Sequence, residues 1–198
     1  MHTPAFFDDM FRDDSDPWRF KTRWYETRKR ALTLACLPSP RYTNGFEPGC
    51  ANGELSADLA TRCDRLLVSD GSELAVQASR ARLKPFANVE VRQLWLPEEW
   101  PEEAFDLIVI SELAYYFSSE QLNNISDGVL ASLAPNGTVV ACHWRHQIQG
   151  CKLRGDDVHD ALMTRLNIPH LSTHAELDFR LDVWSRNAQS VAQQEGLI

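Results

Sequence analysis

The run Asp106-Leu107-Ile108-Val109-Ile110-Ser111 sets four branched or long apolar side chains in unbroken succession between polar ends. A strand wet on one face alternates apolar and polar residues. A continuous apolar run of strand length needs cover on both faces, as at the centre of a parallel sheet. The rest of the chain supplies that cover. Segments 43–48, 65–70, 89–92 and 138–143 read as further short strands, and 177–184 as an edge strand. Between them, 54–63, 72–83, 118–133 and 156–166 carry apolar residues at helical spacing, with Pro135-Asn136-Gly137 as a turn. Strand–helix alternation of this kind predicts βαβ units and an α/β, doubly wound, mostly parallel sheet with helices on both faces.

The first forty residues differ. Phe6, Phe7, Phe11, Trp18, Phe20, Trp24 and Tyr25 make them aromatic-rich. A helical pattern from Arg19 puts Phe20, Trp24, Ala31 and Leu32 roughly on one face, started by Asp16-Pro17 and stopped by Pro38 and Pro40. The expectation is one domain spanning 1–198: an N-terminal helical lid over 1–40, an α/β core over 41–185, and a polar tail over 186–198 that packs little.

Composition narrows the partners. A formal net charge of −8 opposes a phosphate backbone, so no nucleic acid is expected, and Arg28, Lys29 and Arg30 read as a solvated helix face. Cys36, Cys50, Cys63, Cys142 and Cys151 form no C-x-x-C pair, so neither a metal site nor a redox dithiol is predicted. The N-terminus has no secretory pattern and no stretch approaches a membrane span, so the expected location is the cytoplasm, without a membrane partner.

Chemistry concentrates in Glu47-Pro48-Gly49-Cys50-Ala51-Asn52-Gly53, between the first strand and its helix. Glycines there let the backbone turn tightly beside the crevice at the strand ends, where open α/β sheets bind ligands. A dinucleotide fingerprint needs glycines two and five residues after Gly49, where this chain has Ala51 and Glu54. Glu54 would also set negative charge where a pyrophosphate sits, so a nicotinamide oxidoreductase fits badly. Asp70, with Gly71 next to it, ends the second strand 23 residues after Glu47. A carboxylate there accepts from a ribose hydroxyl pair, or caps the following helix.

The spacing Glu47-x-Gly49-x-Ala51-x-Gly53 resembles that of class I S-adenosylmethionine-dependent methyltransferases, with Ala51 replacing the usual central glycine. The resemblance implies a Rossmann-like seven-stranded sheet and S-adenosyl-L-methionine as cofactor. It also implies cofactor contacts from Glu47, Gly49, Cys50, Ala51, Gly53, Asp70, Gly71 and Ser111. Many relatives carry an acid after the third strand. Here Arg92 to Pro97 has none, so the adenine is left to Leu94 or Trp95, and Trp95 is equally readable as core. With Asp16-Pro17-Trp18-Arg19-Phe20, Trp24-Tyr25-Glu26, Trp100-Pro101 and the segment 111–116, the chain resembles a narrower group over nearly its whole length. That group is the nodulation protein S-like methyltransferases, whose named member N-methylates a deacetylated chitin oligosaccharide.

Methyl transfer needs alignment and a group that orients or deprotonates the acceptor. Glu112, at the end of the central strand, is the first candidate. Tyr115 and His143 are the others, and a helix cap or plain packing is the alternative for each. Trp18, Trp24, Tyr25 and Tyr116 suit an acceptor or adenine face, and Arg23 or Arg28 suits the cofactor carboxylate. Segment 146–160 is expected to be a polar acceptor-side loop. The expected activity is N-methylation of a small-molecule acceptor, an amino sugar, oligosaccharide or similar amine. Small-molecule O-methylation and a non-catalytic cofactor-binding module remain alternatives.

Overall fold

The structure, a computed structural model, describes residues 3–198. Residues 1 and 2 of the expected lid lie outside the described residues. Seven strands form one sheet: β1 (Tyr42–Pro48), β2 (Cys63–Asp70), β3 (Val89–Gln93), β4 (Phe105–Ser111), β5 (Leu133–Trp144), β6 (His170–Ala175) and β7 (Phe179–Ser185). Their order is β3-β2-β1-β4-β5-β7-β6. The first five run parallel, and β7 is antiparallel to both β5 and β6. The strand order reverses between β1 and β4, which opens the crevice at their C-terminal ends.

The apolar run in β4 is divided as its lack of alternation requires. Ile108 and Ile110 enter one core with Phe46, Ile125, Val129 and Trp184. Leu107 and Val109 enter the other with Leu66, Val68, Val140 and Phe179. Helices α3 (Glu54–Ala60), α4 (Glu73–Leu83), α5 (Ser119–Ser132) and α6 (Gly155–Leu166) supply the cover. Ser72 caps α4 through the Ala75 N–H, and a reciprocal Ser118–Gln121 capping box starts α5.

Four sequence expectations are corrected. The N-terminal segment forms two helices, α1 (Pro4–Arg12) and α2 (Trp24–Ala35), not one from Arg19. Thr3 before Pro4 is the start signal of α1. Asp16 caps no α-helix. Its carboxylate accepts from the N–H groups of Phe20 and Lys21 in the intervening turn, and from Asn52 Nδ2. The turn expected at 135–137 is a bulge inside β5: β5 advances from Leu133 to Thr138 while β4 advances from Phe105 to Leu107. Finally, β7 lies inside the sheet and β6 forms the edge, where no strand was expected. The sequence of β6, His170 to Ala175, is mostly polar because half of an edge strand faces water. The tail contains one short helix, α7 (Val191–Gln194), and is mostly exposed. No helix among the described residues is long and apolar enough to cross a membrane.

Candidate functional site

The loop after β1 is held by its neighbour strand. The Cys50 N–H donates to Ser69 O at 2.9 Å, and the Ala51 N–H donates to Asp70 Oδ2 at 3.0 Å. Gly49, Ala51 and Gly53 all take positive φ, at 73°, 49° and 81°. Ala51 is thus a non-glycine residue in left-handed backbone, the position where the related loops carry glycine. Gly53 does a different job from Gly49. A Cβ on Gly53 would meet Leu83 and the Ser79 Cα at 3.3 Å, so it brings α3 close to α4 and does not line the cavity.

Asp70 accepts from Ala51 through one oxygen and from the Ser72 N–H, at 2.9 Å, through the other. Burial pushes its pKa up to about 6 against the pull of these backbone donors. Glu47 is 3% exposed and its Oε2 has no hydrogen-bond partner among the described residues. Burial pushes that carboxyl up to about 8.

These groups open into a cavity of about 520 Å³, within the range of small-molecule sites. Its wall brings together most of the candidate residues: Glu47, Gly49, Cys50, Ala51, Asp70, Gly71, Leu94, Trp95 and Ser111 on one side, and Glu112, Tyr115, Tyr116, Trp18, Arg23 and Tyr25 on the other. Trp95 packs so closely on Gly71 that a Cβ there would lie 2.5 Å from its ring. Phe7 and Phe11 of α1, with Phe20, complete the wall from the N-terminal segment. Phe7 meets the rings of Tyr116 at 5.1 Å and Trp95 at 6.4 Å. Asp8 fixes α1 by accepting from Ser72 Oγ at 2.6 Å.

The densest polar cluster was not foreseen. Lys29, expected on a solvated face, is 5% exposed and lines the cavity. Its Nζ lies 2.6 Å from Glu112 Oε1, 3.1 Å from Glu26 Oε2 and 5.0 Å from the Tyr25 ring centre. Burial alone would discharge this lysine, but the two carboxylates outweigh burial and hold it charged. Glu112 sits in left-handed backbone, φ 54°, and its Oε2 accepts from Tyr115 Oη at 2.5 Å and the Trp144 N–H at 3.0 Å. Arg30 also leaves the solvated face, bonding Asp58 and the Phe20 carbonyl.

Besides Gly53, three candidates are not brought to the cavity. His143 is fully buried and absent from its wall. Its Nε2 accepts from the Ala114 N–H at 3.2 Å, which leaves its proton on Nδ1, 3.1 Å from His159 Nε2. His159 Nδ1 in turn donates to Asp182 Oδ2 at 2.6 Å. Burial, with His159 and Lys29 adding to it, keeps His143 neutral, and both nitrogens are engaged, so it has no free lone pair for an acceptor. Arg28 is spent on a two-pronged pair with Glu176. Trp24, expected to face inward, is 74% exposed; its neighbour Tyr25 turns in to Trp144 and Phe179. Of the segment expected as a loop, 155–160 is the start of α6, and Ile148 from its remainder reaches the cavity wall.

Comparison with known proteins gives this arrangement a family. The family described as Nodulation protein S (NodS) matches residues 7–169. Nodulation protein S of Rhizobium tropici is 28% identical over 181 residues, covering 78% of this chain and 76% of that protein. The same-named protein of Sinorhizobium fredii is 30% identical over 128 residues, covering 63% and 59%. A crystal structure of a candidate methyltransferase from Pseudomonas syringae is 52% identical, with a TM-score of 0.75, covering 82% of this chain and 99% of that one. The N-methyltransferase NodS of Bradyrhizobium japonicum WM9, in complex with S-adenosyl-L-homocysteine, is 23% identical with a TM-score of 0.79, covering 93% and 98%. The chain belongs to the nodulation protein S family of class I S-adenosylmethionine-dependent methyltransferases, built on a Rossmann-like α/β fold.

Proposed function

We propose that this enzyme methylates the nitrogen of a small amine, in the form of an amino sugar or an amine-bearing oligosaccharide. The observation that carries this reading is the Glu26–Lys29–Glu112 cluster in the cavity wall, which keeps one net negative charge beside Tyr115 and Tyr25. Such a wall favours an amine, whose nitrogen gains positive charge as it is methylated. An anionic acceptor, the O-methylation alternative, would need free cations. Of the cations in the cavity wall, Lys29 and Arg30 are already paired, and Arg23 would receive the cofactor carboxylate.

S-adenosylmethionine supplies an electrophilic methyl group on a sulfonium. The residues present suit its parts. Glu47, with an unpartnered buried oxygen, would receive the amino group of its methionine portion. Arg23 lines the cavity with no ion-pair partner among the described residues and would receive the carboxylate. Asp70 keeps lone pairs for the ribose hydroxyls, and Leu94 and Trp95 would flank the adenine. The segment 1–40 would act as a lid on the 41–185 core within one domain, with Trp18, Tyr25 and Tyr116 on the acceptor side. Cys36, Cys50, Cys63, Cys142 and Cys151 form no disulfide among the described residues, which suits a cytoplasmic enzyme.

The test is incubation with S-adenosylmethionine and glucosamine oligomers, with mass spectrometry of the acceptor. The expected product is larger by one methyl group on nitrogen. Methyl ethers or esters alone would overturn the amine reading, and tight cofactor binding without transfer to any amine or hydroxyl would leave a binding module.

A further inference from the structure

Two carboxylates flank Lys29, and they differ in what remains open on them. Glu112 has both oxygens engaged: Lys29 Nζ donates to Oε1, while Tyr115 Oη and the Trp144 N–H donate to Oε2. Its left-handed backbone fixes it further. Glu26 is different. Only its Oε2 reaches Lys29, and its other oxygen accepts no hydrogen bond among the described residues. Glu26 nevertheless lines the cavity with only 11% of its side chain exposed, and no protein donor among the described residues serves the open oxygen. An unserved carboxylate oxygen in a ligand cavity is a place for a donor.

On the amine reading above, we propose that Glu26 takes the proton released when the acceptor nitrogen is methylated, with Lys29 and Glu112 as positioning residues that hold it there. The nitrogen lone pair forms the bond to the methyl carbon as the carbon–sulfur bond breaks, its electron pair staying on sulfur. The methylated nitrogen then carries one N–H too many. That proton passes to Glu26, which becomes a neutral acid until it releases the proton to water at the cavity mouth.

The neighbours suit the task. Lys29 and Arg30 lie on its own helix, Glu112 faces it from the end of β4, and Tyr25 and Cys142 are the remaining ionisable groups coupled to the cluster. Burial raises the Glu26 pKa, and repulsion from Glu112 adds to this, against Lys29 and Arg30. The net direction is toward the working range of a proton acceptor. Lys29 is not itself that acceptor, because two carboxylates keep it protonated.

The experiment compares wild type, Glu26→Gln, Glu26→Asp and Glu112→Gln, with glucosamine and N-acetylglucosamine as probes. Rates are followed against pH, and affinities for the probes and for S-adenosylhomocysteine are measured by calorimetry. Glu26→Gln should cut kcat about 100-fold or more, while S-adenosylhomocysteine affinity stays within about twofold. Without cofactor it should weaken glucosamine binding about tenfold and leave N-acetylglucosamine unchanged, the loss of one charge-assisted contact. A Glu26→Gln enzyme within about threefold of wild type, with the same acid limb, overturns the assignment. If Glu26→Gln loses S-adenosylhomocysteine through misfolding, Glu26→Asp decides. A displaced acid limb supports the proposal and an unmoved limb overturns it. Absence of transfer to any amine by wild type, with cofactor bound, instead overturns the amine reading on which the proposal rests.

Discussion

Replacing Glu47 by Gln should stabilise the ligand-free protein at neutral pH and weaken its hold on cofactor. Burial raises the Glu47 carboxyl from 4.5 to about 8. The folded chain therefore holds that proton more tightly than the unfolded chain. Between pH 4.5 and 8 the folded state binds more protons, so stability falls as pH rises through this window. Taking these two values, the ionisable group costs under about 1 kcal/mol at pH 5 and about 3 kcal/mol at pH 7. Gln, equally buried but never charged, escapes this cost. Any fixed difference in packing or hydrogen bonding cancels when the two proteins are compared across pH. The melting-temperature gap between Glu47→Gln and wild type should therefore widen by about 5–10 °C from pH 5 to pH 7. S-adenosylmethionine affinity measured in the same buffers should fall about tenfold or more in the variant, since a charge-assisted hydrogen bond is lost. A melting-temperature gap that stays constant from pH 5 to 8 would refute the reasoning, because no titration at Glu47 would then be linked to folding.

Three further outcomes are expected. Gly71→Ala should fold but displace the Trp95 ring, which a Cβ would meet at 2.5 Å, and weaken cofactor binding about tenfold by calorimetry. Lys29→Met should leave two facing buried carboxylates and cost about 3–5 kcal/mol in denaturant unfolding at pH 7, a loss that shrinks under acidic conditions as Glu26 protonates. Asp182→Asn should destabilise by a similar amount of about 3–5 kcal/mol, since it unpairs Arg180 and replaces one of the two oxygens that accept from His159, Arg180, His170 and Thr173 by a donor. Burial opposes ionisation of Asp182, but its hydrogen bonds from His159 and Thr173 dominate and hold its pKa well below the usual carboxylate range. Its stabilisation is therefore present at neutral pH and lost only on strong acidification, which an unfolding series from pH 7 downward would show.

That Glu47, Gly49 and Asp70 would meet at one cavity was legible because the signals are local. Glu47, Gly49 and Asp70 sit at strand ends and turns, where spacing along the chain dictates position. The buried cluster around Lys29 was not. Glu26 and Lys29 stand three residues apart on a helix, a pattern indistinguishable from an ordinary surface ion pair. Only the docking of α2 against β4 and β5 buries them, and no neighbouring residue reports that docking. Trp24 fails for a related reason: one step along a helix rotates a side chain by about 100°, so Trp24 points out to solvent while its neighbour Tyr25, also a candidate, turns into the cavity wall. His143 was placed correctly at the end of its strand but on the wrong side of it. Its partners, His159 and Asp182, come from elements 16 and 23 residues apart in successive steps. The edge strand β6 escaped because its polar sequence answers to water as much as to the sheet.

The bond between Asp8 and Ser72 has a kinetic meaning. Phe7 lines the cavity from α1, and Asp8 sits next to it on the hydroxyl that caps α4. Swinging α1 away removes a carboxylate from the positive end of α4 as it uncovers Trp95 and Tyr116. Ligand exchange and α1 movement thus draw on the same contacts. Were α1 to open for exchange, the dwell time of spent cofactor would depend on this latch as well as on the contacts at the cavity floor.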